Sequence, residues 1–376
     1  MKTNIVTLLL LLFTCSFLNA QVKVAKIDRS LWPENLNSVE NFDYASKMQI
    51  LVYAKCFLEI QNLNNVEEIK AKYNIKSANV NSFSTWKKDQ IQLILQNLHS
   101  IKSQTVLDKT IAINKNCTWQ DVVKATEKLD KSIPANLKLW YANASDFSRQ
   151  YANELARLAF LFPKTSSEIL TLAPNEITGS NYADKEFLLT FDDGPTKENG
   201  NTDKLTATLK SLNLNGMFFV LGEQLQNRIN ATSTEKLNKL YSNNKLESHG
   251  KIHKSHQYLE TWQESIDYTF GKIKTITDSK NSRSYFRPPY GQRTEKVANY
   301  LNSINASVLL WNIDSQDWNS KINASEVSDR VITLMLLWRK GVVLFHDIHP
   351  KANEALPVMV KSLNGSGILF MDANKF

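Results

Sequence analysis

A short apolar strand that ends in two adjacent aspartates constrains this chain more than any other feature. Phe187-Leu188-Leu189 reads as a buried strand, and Thr190-Phe191-Asp192-Asp193-Gly194-Pro195 follows it directly. Two neighbouring carboxylates at the end of such a strand are costly unless a cation, a proton or a guanidinium holds them. Gly194-Pro195 then stops the strand and turns the chain. In α/β folds the carboxyl ends of strands are where active sites form. Taken alone, the run also fits a polar turn with an Asx cap. Four later polar clusters supply partners that a simple turn does not need.

After residue 184 short apolar runs at 217–221, 307–311 and 341–345 alternate with helical segments. That alternation predicts parallel strands joined by crossover helices. Residues 38–162 have a different texture and read as helices. Tyr44, Met48, Leu51 and Val52 fall on one stripe. Ser84 is placed to cap a helix carrying Ile91, Ile94, Leu95, Leu98 and Ile101. Thr118-Trp119-Gln120-Asp121 has the form of a capping box. Phe147, Tyr151, Leu155, Leu158 and Phe162 recur at helical spacing until Pro163 stops the helix. These stripes are expected in a core, with His99 structural. Residues 164–184, rich in Ser, Thr, Asn and Pro, read as a linker. The expected division is therefore a leader at 1–20, a mainly helical domain at 21–163, the linker, and an α/β domain at 185–376.

Lys2, a leucine-rich run to Phe13 and the close Leu18-Asn19-Ala20 have the form of a secretory signal peptide cut after Ala20. The run is short for a permanent bilayer anchor, and Phe13-Thr14 is a poor lead-in for a lipoprotein cysteine at Cys15. An exported protein, periplasmic or secreted and without a stable membrane span, is the expectation. Export permits a disulfide between the two remaining cysteines, Cys56 and Cys117; two buried free thiols are the alternative. Formal net charge is +8. Residues 21–163 hold 19 Lys/Arg against 14 Asp/Glu, so most of the excess lies in the helical half. This suits an anionic polymer or surface, although no tight basic block appears and a diffuse solvated surface explains it as well. Nothing points to nucleic acid.

Five of the six histidines lie after residue 248. His249 and His253 are four apart, which on a helical turn puts both imidazoles on one face, a spacing suited to a divalent metal. His253 and His256 are three apart, so that register stays open. One Asp with two His makes a facial triad with positions left for water and substrate. Phe286-Arg287-Pro288-Pro289-Tyr290-Gly291 fixes an arginine in a rigid loop, where it could pair with an aspartate. Asp314-Ser315-Gln316-Asp317-Trp318 adds two acids and an aromatic wall. Leu344-Phe345-His346 ends an apolar strand in a candidate general acid. His349 reads as a structural neighbour.

These five motifs, in this order, resemble the polysaccharide deacetylase family, carbohydrate esterase family 4, over residues 185–376. Residues 217–222 also resemble the family's second strand. The chain departs from the family pattern in reading His249-Gly250, where Ser or Thr usually follows the first histidine, and in a polar segment after Pro195. The resemblance implies a distorted (β/α)7-type barrel and a metal-dependent hydrolase acting on N-acetylhexosamine residues of a polysaccharide. It implies Asp193, His249 and His253 as ligands of Zn²⁺, or another divalent ion such as Co²⁺. Asp192 is then the general base, Arg287 its partner, and the backbone N–H of Tyr290 an oxyanion donor. His346 is the general acid, supported by Asp317 or Asp314, and Trp318 and Leu344 line the groove. An O-acetyl esterase, a non-sugar amide hydrolase or an inactive carbohydrate-binding protein on the same scaffold remain alternatives.

Overall fold

The computed structural model describes residues 24–103, 113, 116–164, 169–277 and 283–376. The expected leader lies outside the described residues. Five helices come first: α1 (Val39–Leu58), α2 (Val66–Tyr73), α3 (Val80–Ser100), α4 (Trp119–Ser132) and α5 (Lys138–Leu161). The Thr118 capping box forms in both directions with Asp121. The cap of α3 differs from expectation. Asn79, not Ser84, accepts a hydrogen bond from the Ser82 N–H, and Ser84 lies inside the helix. Asn and Ser cap equally well, so propensity could not choose between them.

The α/β part follows as β1 (Glu186–Asp192), α6 (Asn201–Ser211), β2 (Met217–Val220), α7 (Gly222–Ala231), α8 (Thr234–Tyr241), β3 (Lys245–Ser248) and α9 (Trp262–Lys274). It continues with β4 (Ser284–Phe286), α10 (Glu295–Ser303), β5 (Ala306–Val308), β6 (Ile313–Asp314), α11 (Ala324–Trp338), β7 (Gly341–His346), α12 (Pro350–Leu363) and β8 (Leu369–Phe370). Seven strands pair in the order β5-β4-β3-β2-β1-β7-β6, with β8 on the lower end of β1. All pairs are parallel. The sheet is curled and open between β5 and β6, a distorted (β/α)7 barrel. Ile177 fills part of that gap, its N–H donating to Val308 O and its carbonyl accepting from Leu310 N–H.

The period of two in β1 decides what faces the barrel interior. Phe187, Leu189 and Phe191 join the large core toward the helices. Leu188 packs inside with Met217, Phe219, Val342 and Leu344. Thr190 and Asp192 share its side, so the strand delivers a hydroxyl and a carboxylate to the interior at its carboxyl end.

The helical region is not a separate ball. It shares one continuous core with α11. Ser46 Oγ donates to Leu336 O at 2.7 Å, and Asn97 Nδ2 to Leu337 O at 3.1 Å. Trp338 Nε1 donates to Tyr151 Oη at 3.0 Å. The buried Arg339 guanidinium reaches both Asp43 of α1 and Asp184 beside β1. Cys56 and Cys117 are both free and buried, which corrects the expected disulfide. Cys56 Sγ instead faces the Ser145 carbonyl of α5 at 3.4 Å. Cys117 packs in the core, its carbonyl bound by the His99 ring at 3.0 Å. Each serves as a small buried hydrophobe, and burial pushes the Cys56 thiol up to about 12. Among the described residues no helix is long and apolar enough to cross a membrane.

Candidate active site

The strand ends converge in one layer. Asp192 lies level with His346 on β7 and with Phe219 on β2, while Ser248 lies level with Phe286. His249 and Arg287 are therefore the first residues past β3 and β4. Asp193 has φ 83, in the left-handed region that non-glycine residues seldom occupy. This turn brings its carboxylate to the same side as that of Asp192, although neighbours on an extended strand point apart. Gly194 must lack a side chain: a Cβ there would lie 2.0 Å from Asp347 Oδ2.

Asp192 is buried and held by Arg287, whose Nη1 donates to Asp192 Oδ1 and to Thr190 Oγ1, both at 2.8 Å. The guanidinium also donates through Nε to Leu309 O at 3.0 Å and through Nη2 to Leu310 O at 2.9 Å. Its Cζ lies 4.2 Å from the Phe219 ring centroid. Burial lowers its pKa, and the Asp192 carboxylate opposes that. Arg287 is thus a fully buried member of the barrel interior rather than an arginine on a surface loop.

His249 and His253 both turn Nε2 toward Asp193 Oδ1, at 3.3 and 3.4 Å. The segment carrying them is not helical. It is a bent loop that leaves β3, with Gly250 at φ +84. The glycine one position after the first histidine is the sequence signal against a helix. The register is 249 with 253. His256 is buried elsewhere, between Lys254 O and Ser265 Oγ, and burial takes it down to about 4.

The donor set fits a divalent cation. His249 Nδ1 lies 2.6 Å from the Arg287 carbonyl, which can only accept, so Nδ1 carries the proton and Nε2 presents a lone pair. That lone pair faces a buried Asp193 oxygen with no hydrogen-bond partner. Two acceptors this close need a positive charge between them. One ligand atom each from Asp193, His249 and His253 lies within 4.8 Å of the others, an open three-ligand site of the kind catalytic metals occupy. Burial alone would raise the Asp193 carboxyl; positive charge on His249, His346 and His253 outweighs burial and holds it well below the usual range, and a cation in the site acts in the same direction.

Across the cleft, both oxygens of Asp317 clamp His346, Oδ1 on Nδ1 and Oδ2 on the backbone N–H, each at 2.8 Å. Burial disfavours the imidazolium, yet the Asp317 carboxylate raises His346 to about 10. Asp314 does not touch His346; it accepts from the N–H and side-chain amide of Gln316. Tyr290 stands in a tight turn at φ 58, its ring 4.5 Å from that of His253. Trp318, half exposed, and the buried Leu344 line the same cleft of about 610 Å³.

Residues 179–309 match the model of the family described as polysaccharide deacetylase. The matched segment takes in β1 to β5 and carries Asp192, Asp193, His249, His253, Arg287 and Tyr290. The chain is similar to a peptidoglycan-N-acetylglucosamine deacetylase of Bacillus cereus, 29% identical over 57% of this chain and 78% of that protein. It is also similar to chitin deacetylase 2 of Saccharomyces cerevisiae, 26% identical over 49% of this chain and 57% of that protein. A crystal structure of a peptidoglycan N-acetylglucosamine deacetylase aligns with a TM-score of 0.46 and 23% identity, covering 52% of this chain and 90% of that one.

Sequence reasoning missed two parts of the deacetylase site. Asp347 supports the loop after β1: its N–H donates to Asp192 O at 3.1 Å and its carboxyl accepts from Thr202 Oγ1 at 2.8 Å. Burial pushes it up to about 8, so it stays neutral beside the acidic pair. The Asp that follows His346 was the available signal. The second omission is larger. Val24, Glu154, Arg157 and Leu158, all from outside the α/β part, line the catalytic cleft. Leu158 belongs to the stripe read as core, and nothing in its periodicity distinguishes a core from a cleft wall.

Proposed function

We propose that this protein is an exported, metal-dependent hydrolase that removes N-acetyl groups from N-acetylhexosamine residues of a polysaccharide, giving acetate and a free amine. The observation that carries this reading is the presence, in one cleft, of an arginine-held carboxylate, a three-ligand Asp/His/His set and a carboxylate-clamped histidine. Asp193, His249 and His253 hold a divalent cation, Zn²⁺ or Co²⁺. When bound, that ion supplies Lewis acidity to a water and to the acetamide carbonyl.

The remaining work falls to the chain. Asp192 accepts the proton of the attacking water. Its Oδ1 is committed to Arg287, which leaves Oδ2 as the accepting oxygen. Arg287 fixes that carboxylate in place and favours its ionised form. The backbone N–H of Tyr290 donates to the developing oxyanion. His346, with Nδ1 held by Asp317, delivers a proton from Nε2 to the departing sugar nitrogen, and Asp317 stabilises the imidazolium beforehand. Trp318 offers a face for a sugar ring, and Leu344 an apolar surface for the acetyl methyl.

The relatives named above act on peptidoglycan and chitin, and both polymers, with poly-N-acetylglucosamine, are candidate substrates. The deciding experiment is acetate release from N-acetylated and O-acetylated polymers by the metal-loaded protein, with product masses. Loss of 42 Da per sugar with a new free amine is expected. Release from O-acetylated polymer alone would make the protein an esterase, and no release from any polymer would make it a binding protein.

A further inference from the structure

The cleft wall that comes from the helical region carries a cation with no partner among the described residues. Each carboxylate around it is directed to another group. Asp192 holds Arg287, Asp314 accepts from Gln316, and Asp193 faces the two histidines. Glu154, one turn before Arg157 on α5, accepts from Arg330 Nη2 at 3.1 Å and from the Ala25 N–H at 3.2 Å. Arg157 also lines the cleft, yet among the described residues it has no ion pair or hydrogen bond, and its Nε is buried without a partner. A solvated surface arginine leaves its nitrogens in water. This one has a donor shielded from water and no acceptor, which is unfavourable until an acceptor arrives.

We propose that Arg157 determines substrate choice by binding a carboxylate carried on the glycan, so that the enzyme acts on an acidic N-acetylhexosamine polymer in preference to a neutral one. The proposal rests on the polysaccharide reading of the cleft given above. A guanidinium presents parallel N–H donors that match a carboxylate, and such charge-assisted pairs are roughly twice as strong as neutral hydrogen bonds. The neighbouring acids strengthen the case. A negatively charged chain entering a cleft lined by Asp192, Asp193 and Asp314 meets repulsion, and Arg157 is the cationic group in that lining free to offset it. The basic excess of residues 21–163 has the same sign. Arg157 also lies outside the residues matched by the family model, so the preference belongs to the helical region and not to the shared catalytic scaffold.

The test compares two glycans of equal length. One alternates N-acetylglucosamine with N-acetylmuramic acid and so bears a carboxylate on every second sugar. The other is the same chain with those carboxyls reduced to alcohols. The wild-type protein is expected to favour the acidic chain at least about tenfold in kcat/KM, the effect of one charge-assisted contact. Arg157→Gln should collapse that ratio toward one, mainly through KM, and Arg157→Lys should retain part of it. Equal losses on both chains in Arg157→Gln, or no preference in the wild type, would overturn the proposal. Titration of both glycans into the wild-type and Arg157→Gln proteins by calorimetry reads the same preference as a ratio of Kd. If neither glycan releases acetate, the deacetylation reading falls, while that Kd ratio still decides the role of Arg157.

Discussion

The two walls of the catalytic cleft are built on opposite principles. On the barrel side, apart from the Asp193 oxygen left to the cation site, the catalytic charges are held by protein partners: Arg287 makes four hydrogen bonds, and Asp317 gives both oxygens to His346. On the helical side Glu154 is bound to Arg330, and Arg157 three residues later has no ion pair or hydrogen bond among the described residues. Fully partnered groups are rigid, and rigidity is what proton transfer and ion binding need. An unpartnered group stores its interaction for a ligand. The barrel wall therefore has the character of a reaction centre and the helical wall that of a reader of substrate.

The sharpest way to break this contrast is within the aspartate pair. Asp192→Asn should lose about 10²–10⁴ in kcat while keeping its metal, since it removes the base and no ligand. Asp193→Asn should lose the metal, with partial rescue by excess Zn²⁺ or Co²⁺. Metal content measured beside turnover distinguishes them, and the opposite pattern would exchange the two roles. His249→Ala should follow Asp193→Asn, whereas His256→Ala should leave metal content intact.

Arg287→Ala comes next. A loop arginine could be removed with a modest loss of rate, but this one is buried among Thr190, Asp192 and two backbone carbonyls. Its removal leaves Asp192 as an uncompensated buried charge, at a cost of about 3–5 kcal/mol. Chemical denaturation should show that loss, and unchanged stability would mean the pair is not buried as described.

The third effect is on pH dependence. His346 must be protonated to act as an acid, and Asp317 raises it to about 10, so the acid form persists well above neutrality. The alkaline limb of kcat should fall as pH rises through that region. Asp317→Asn removes the largest raising influence, so the limb should move down toward the ordinary histidine value of about 6.5. A limb that does not move would assign it to another group.

The smallest effect lies far from the cleft. Thr118→Ala removes one side of the α4 capping box and should cost about 1 kcal/mol of stability without altering kcat.

The catalytic side of the cleft was legible in the sequence because its chemistry is local. Each motif sits at the end of one strand, so spacing along the chain translates into placement around the rim. Asp192, Asp193, His249, His253, Arg287 and His346 all follow this rule. The conformation of 249–253 was misread as helical because the period of four was weighed above Gly250. The choice between Asp314 and Asp317 needed coordinates, since two acids three residues apart on a turning loop have no fixed side. The disulfide was inferred from compartment and from the two cysteines sharing the helical half, and neither says where two thiols point. The helical wall was illegible for a different reason. A helix reports which face is apolar, not what covers that face, and α5 covers both a core and a cleft.

The seam at α11 sets how the molecule can come apart. From Val327 to Trp338 this helix is buried along its length, with the sheet on one side and α1 and α3 on the other. Cutting the chain at the start of the barrel would leave Leu334, Leu337 and Trp338 facing solvent, an adhesive apolar stripe on an otherwise folded enzyme. The helical half thus covers an apolar face of the catalytic half. The shared core predicts a single melting transition for the two halves, and the barrel expressed alone should be recovered as an aggregate.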